Sequence, residues 1–120
     1  MGYNLFLDDN WKPNEIANLT SIEKNRIRYR TYHWIIVNSY DEFVNYILVN
    51  GIPDIISFDH DLSPEHYEIT DDYDKYIVKT GYHAAEWILE YLSNNNLSTP
   101  IFLVHSQNAI GRKNIENLLF

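Results

Sequence analysis

The chain contains no cysteine. That excludes a disulfide framework, a thiolate zinc site and a cysteine nucleophile, and it is compatible with a reducing compartment. Basic residues are also scarce: 9 Lys and Arg stand against 17 Asp and Glu, a formal charge of −8. A surface that neutralises the phosphates of duplex DNA needs clustered cations, so duplex DNA is not an expected partner. The single basic cluster, Lys24 to Arg30, is short and reads as a solvated face. No apolar run approaches the roughly 20 residues that a bilayer-spanning helix requires, and Met1-Gly-Tyr-Asn shows no basic-then-apolar leader. The expectation is a cytoplasmic chain with no membrane partner. With 120 residues, 45% of them hydrophobic, it has material for one domain spanning 1–120.

What the sequence does have is a repeated pattern of apolar runs that stop in polar groups. Ile55-Ile-Ser-Phe58 ends in Asp59-His60-Asp61, Tyr3-Asn-Leu-Phe-Leu7 ends in Asp8-Asp9, and Pro100-Ile-Phe-Leu-Val104 ends in His105-Ser106. Short continuous apolar runs read as buried strands, and ligands of open parallel sheets bind outside the carboxyl ends of the strands. Three strands that deliver acid, imidazole and hydroxyl groups at that end would therefore build one site.

His33 to Val37 reads as a further strand. Ser39 and Glu42 form a capping-box pattern ahead of Phe43, Val44, Ile47 and Leu48, and Asn50-Gly51 stops that helix. Thr80-Gly81 opens the clearest helix, with Ala84, Ala85, Ile88, Leu89 and Leu92 on one face. A short helix over Asn14 to about Ile22 is expected, then an irregular connection over 23–32. Ile110, Ile115, Leu118 and Leu119 mark the apolar side of a final helix. Ser63 to Lys79 has no period, and its length beside a strand-end site suggests an active-site lid. Helices between apolar strands imply parallel crossovers. The expected fold is therefore an α/β, doubly wound, flavodoxin-like parallel sheet of four strands in order 2-1-3-4 with helices on both faces. This order sets Asp8, Asp9 and Asp59 side by side.

Those acids are what a hard divalent cation takes, Mg²⁺ or Mn²⁺, since magnesium prefers oxygen ligands and commonly bridges to substrate phosphate. An isolated acid at such a place more often caps a turn; three converging strand ends favour the metal reading. His60 and Asp61 follow Asp59 directly, and strand alternation keeps all three from one ion without a bend. His60 and His105 are candidates for general acid and base. Ser106 would be a nucleophile only beside a base, and a hydrogen-bonding role fits it better. Asn108 is a good N-cap for the last helix, whose free amides attract anions, and Arg112 offers a fork for phosphate oxygens. His66 and His83 have no assigned role. Tyr67, Tyr73, Tyr76 and Tyr82 lie in or beside the lid, where packing is the plainer reading and stacking on a base the functional one.

Leu5-Phe-Leu-Asp-Asp9 with Pro13, Ser57-Phe-Asp-His-Asp-Leu62, Thr80-Gly-Tyr with Trp87, and His105-Ser-Gln-Asn-Ala-Ile-Gly-Arg-Lys-Asn-Ile115 together resemble the cyclic-phosphate-processing receiver-like domain family, in order and over the whole chain. The resemblance implies a response-regulator receiver-like fold turned to phosphate chemistry. It implies a metal pocket of Asp8, Asp9 and Asp59, family additions at His60, Asp61, His105, Ser106, Asn108 and Arg112, and a substrate-side position for Asn114. The implied activity is that of a metal-dependent phosphoesterase acting on a cyclic phosphate of a small nucleotide or RNA terminus. The alternatives are a nucleotide-binding module without turnover and a degenerate receiver that works through a protein partner. No fifth strand supplies the lysine used by ordinary receivers, which weighs against phosphotransfer signalling.

Overall fold

The computed structural model describes residues 2–67 and 72–120, apart from the side chains of Glu65 and Tyr67. In chain order the elements are β1 (Asn4–Leu7), α1 (Pro13–Ala17), α2 (Glu23–Thr31), β2 (Trp34–Val37), α3 (Tyr40–Asn50), β3 (Ile55–Phe58), α4 (Gly81–Asn94), β4 (Ile101–Val104) and α5 (Ala109–Leu119). The strands form one parallel sheet in the order β2-β1-β3-β4, as expected.

Side-chain alternation divides the core into two layers. Leu5, Leu7, Ile56, Phe58 and Phe102 pack beneath α3, α4 and α5, while Phe6, Ile55 and Leu103 pack with Ile16, Tyr29 and Trp34 on the α1/α2 side. Both faces are covered, which is why β1 and β3 read as continuous apolar runs. Among the described residues no helix is long and apolar enough to cross a membrane.

The helix ends follow local chemistry. Ser39 Oγ accepts the Glu42 amide at 3.1 Å, but the Glu42 carboxylate reaches the Asn38 amide, one residue before the cap, so only half of the expected capping box forms. Gly51 leaves α3 at φ 88°, a conformation that disfavours a Cβ. Thr80 and Asn108 cap α4 and α5, accepting the amides of Tyr82 at 3.1 Å and Gly111 at 3.1 Å.

Three expectations are corrected. The helix expected to reach Ile22 ends at Ala17, and Leu19 and Ile22 are 50% and 58% exposed. The segment expected to be irregular holds α2, a polar helix whose one buried side chain is Tyr29. Its place depends on docking, through Tyr29 stacked on Trp34 and the Trp34 indole N–H donated to Arg28 O, which no periodicity within the segment reports. Ile110, expected on the apolar side of α5, is exposed.

Part of the expected lid, 68–71, lies outside the described residues, as does the Tyr67 side chain. The rest carries 3₁₀ turns at Pro64–Tyr67 and Tyr73–Lys75. His66 accepts the Leu62 amide at Nδ1 and donates from Nε2 to Val78 O. His83 accepts the Thr80 amide at Nδ1 and donates from Nε2 to Tyr73 O. The two imidazoles thus tie this segment to the body of the domain, and burial holds the His83 pKa below its ordinary value.

Candidate active site

The sheet register builds the site. Leu7 pairs with Phe58 and Phe58 with Val104, so the next residues, Asp8, Asp59 and His105, stand level at the carboxyl edge. Their amides donate to Val37, Leu7 and Phe58 carbonyls at 3.0, 2.9 and 2.9 Å, which extends the ladder by one rung and fixes their backbone. Ligand atoms of the three residues lie within 4.8 Å of one another.

Both carboxylate oxygens of Asp8 are hydrogen-bonded, and Oδ2 keeps a second lone pair. Its Oδ1 accepts the amides of Asn10 and Trp11 at 2.9 Å each, and its Oδ2 accepts from His105 Nε2 at 3.0 Å. His105 is buried and stacks on Phe6 with ring centroids 4.2 Å apart. Its Nδ1 meets Ser57 Oγ at 2.6 Å, and Ser57 Oγ meets the Tyr29 hydroxyl at 2.7 Å. One proton arrangement satisfies every group in this array: Tyr29 donates to Ser57, Ser57 to His105, and neutral His105 to the Asp8 carboxylate. Burial lowers the His105 pKa more than Asp8 raises it, in keeping with a neutral ring. Burial likewise pushes the Tyr29 phenol up to about 12.

A parallel array stands on the other face. Asp61 Oδ1 accepts from His60 Nδ1 at 2.7 Å and from Asn108 Nδ2 at 3.1 Å. His60 Nε2 meets the Tyr73 hydroxyl at 2.9 Å, and that hydroxyl accepts from Asn114 Nδ2 at 3.1 Å. Two glycines admit this arrangement. A Cβ at Gly111 would overlap the His60 ring, and one at Gly81 would overlap the Asp59 carbonyl. Tyr73 lies with its ring 4.1 Å from that of Tyr82, and burial raises its pKa.

Between the arrays lies a cavity of about 240 Å³. Asp9, Asn10 and Trp11 line it from the β1–α1 loop, Asp59 and Asp61 from the end of β3, and Gln107 and Asn108 from the β4–α5 loop. No cation is among these lining residues. Asp59 is pushed up to about 8, by burial first and by Asp8 second, with hydrogen bonds from the His60 amide and, less, from Ser106 opposing the rise. The Asp9 carboxyl is raised by the same two causes. Buried Ser106 also accepts the Asn108 amide at 3.1 Å.

The structure therefore gathers Asp9, Asp59, Asp61 and Asn108 at one cavity, while Asp8 and Ser106 are buried beside Asp59 and do not line it. His60 and His105 stand behind it, with both ring nitrogens of each hydrogen-bonded within the protein. Arg112 does not line this cavity, and Asn114 serves the Tyr73 hydroxyl. Ser57 and Tyr29 are participants that sequence reasoning missed, and Tyr73, expected to pack or to stack on a base, takes part through its hydroxyl. A signal existed for Ser57, a lone hydroxyl in an apolar strand that needs a partner once buried. Tyr29 gave none.

A family model described as the cyclic-phosphate processing receiver domain matches residues 3–120. The chain belongs to this family. No curated protein and no solved structure matches it. For a cyclic-phosphate processing receiver domain, the question is whether the acidic edge suits a divalent cation, and the donor chemistry fits one. Asp8 and Asp59 offer buried carboxylate oxygens, the ligands hard cations take, and Asp9 adds another at the mouth. Burial and the Asp8 charge raise Asp59, and a cation joining such a donor set would offset both. His105 completes the local ligand cluster, although its bonding to Asp8 and Ser57 suits the supporting role that orients a liganding carboxylate.

Proposed function

We propose that this domain is a metal-dependent phosphoesterase that opens a cyclic phosphate of a nucleotide or RNA terminus. The observation that carries this reading is the cavity itself: carboxylates from two adjacent strand ends surround it, no cation lines it, and Asp59 is held from ionising. A site deficient in positive charge suits the joint binding of a divalent cation and an anionic ester. Magnesium or manganese, held by Asp8, Asp9 and Asp59, would supply Lewis acidity toward the phosphate oxygens and toward water.

The remaining chemistry belongs to side chains. Asp61 faces the cavity with its carboxylate fixed by His60 and Asn108. It takes a proton from water as the water oxygen attacks phosphorus, the ring P–O bond breaks, and the proton returns to the departing oxygen. The products are a phosphomonoester and a free hydroxyl. His60 orients Asp61, and His105 orients Asp8, so the imidazoles act through the carboxylates. Ser106 holds Asp59, and Asn108 both caps α5 and steadies Asp61. The described part of 63–79, tied down by His66 and His83, would act as the lid over this edge.

The test is turnover of 2′,3′- and 3′,5′-cyclic nucleotides with magnesium or manganese, comparing the wild type with Asp59→Asn. Linear product from the wild type and background rates from the variant are expected. Calorimetric binding without product would replace this reading with nucleotide sequestration. Modification of Asp59 by acetyl phosphate would replace it with a receiver that signals.

A further inference from the structure

A second cavity, of about 310 Å³, lies across the β4–α5 loop from the acidic one. Gln107 lines both, and His105, bonded to Asp8 on one side, forms part of the second cavity's wall on the other. One loop therefore separates the two spaces. The walls of the second are chemically sorted. Ile16, Leu19 and Ile22 supply an apolar side, and the half-exposed Leu19 and Ile22 belong to neither core layer. Thr20, Ser21 and Asn25 supply donors and acceptors, and α5 supplies Arg112. The Arg112 guanidinium has no hydrogen bond or ion pair to any described residue; Glu116, one helical turn on, also lines the cavity but lies beyond ion-pair distance.

A free phosphate would satisfy Arg112 and leave the apolar side unused. A flat heteroaromatic ring uses everything present: its faces take aliphatic contact and a guanidinium plane, and its edge takes amide and hydroxyl groups. We propose that this cavity receives the base of a nucleotide whose cyclic phosphate occupies the acidic pocket, with Arg112 stacked on the ring and Gln107 between the two halves of the ligand. This inference rests on the phosphoesterase reading for the position of the phosphate, and it adds to that reading a separate site that recognises the base.

The experiment compares a 2′,3′-cyclic nucleotide with base-free 1,2-cyclic glycerophosphate, each with magnesium, on the wild type and on Arg112→Gln. The exposed position of Arg112 keeps this variant folded, which circular dichroism checks. In the wild type, kcat/KM should favour the nucleotide by about 10-fold or more, the scale of one stacked base, and the ratio should fall toward unity in the variant. Equal use of both esters by the wild type, or an undiminished preference in Arg112→Gln, overturns the inference and leaves the phosphoesterase reading intact. If neither ester turns over, calorimetry with the same two compounds decides it separately. Tighter, Arg112-dependent binding of the nucleotide supports the base site while the phosphoesterase reading fails; equal binding, or none, overturns the base site.

Discussion

Replacing Asp59 with Asn should make the metal-free protein more stable above neutral pH and remove much of its pH dependence. In the folded state the Asp59 carboxyl is raised from 3.8 to about 8 by burial and by Asp8. A carboxyl whose folded value lies above its unfolded value binds its proton more tightly when folded, so its contribution is fully present below about pH 4 and is lost as pH rises through about 8. At 1.36 kcal/mol per pKa unit, the gap between the two values sets a ceiling of about 6 kcal/mol. That is comparable to the entire stability of many domains, about 5–15 kcal/mol. Asn is nearly isosteric and carries no charge, so the variant avoids this loss. Urea unfolding between pH 5 and pH 9 in the presence of a chelator measures it: wild-type stability should fall up to about pH 8 and level off above it, and the Asp59→Asn curve should be flatter and higher at the alkaline end. Magnesium should then restore the wild type, by about 2.7 kcal/mol at a hundredfold excess over Kd, and restore the variant far less. Parallel pH curves for the two proteins would refute the reasoning, because Asp59 would then not be where the charge is disfavoured.

Ser57→Ala should cost about 2–4 kcal/mol in urea unfolding, since the buried Tyr29 hydroxyl and His105 Nδ1 both lose their partner, and should weaken manganese affinity about 10-fold through a looser Asp8. Gly111→Ala should destabilise by about 1–3 kcal/mol because its methyl group overlaps the His60 ring, whereas Ile110→Ala at the exposed neighbouring position should stay within about 0.5 kcal/mol. Tyr73→Phe removes the hydroxyl shared by His60 and Asn114, and amide exchange over 72–79 should accelerate by about 5–10-fold, the loss of roughly 1 kcal/mol of hydrogen bonding.

The opposite placement of His60 and His105 was latent in the sequence. Phe58 and Val104 share a sheet level and face, so period-2 alternation sends Asp59 and His105 to one side and His60 to the other. The path from His105 to Tyr29 was not latent. Ser57 and Tyr29 are 28 residues apart and Ser57 and His105 are 48, and the helix that carries Tyr29 has too few apolar residues to declare itself. Arg112 shows the same limit. A place one turn into a helix that begins at the acidic edge suggested phosphate binding, but the turn of α5 carries the guanidinium toward the α1–α2 connection and a different cavity.

By itself the sequence determined the sheet, its strand order and the acids and imidazole at its carboxyl edge, because buried strands and helix caps are written in local runs of residue types. Only the tertiary structure decided which of those groups face a cavity, which stand behind them and what holds each in place. Those outcomes depend on hydrogen bonds and close packing between segments distant in the chain, and short-range patterns do not encode distance.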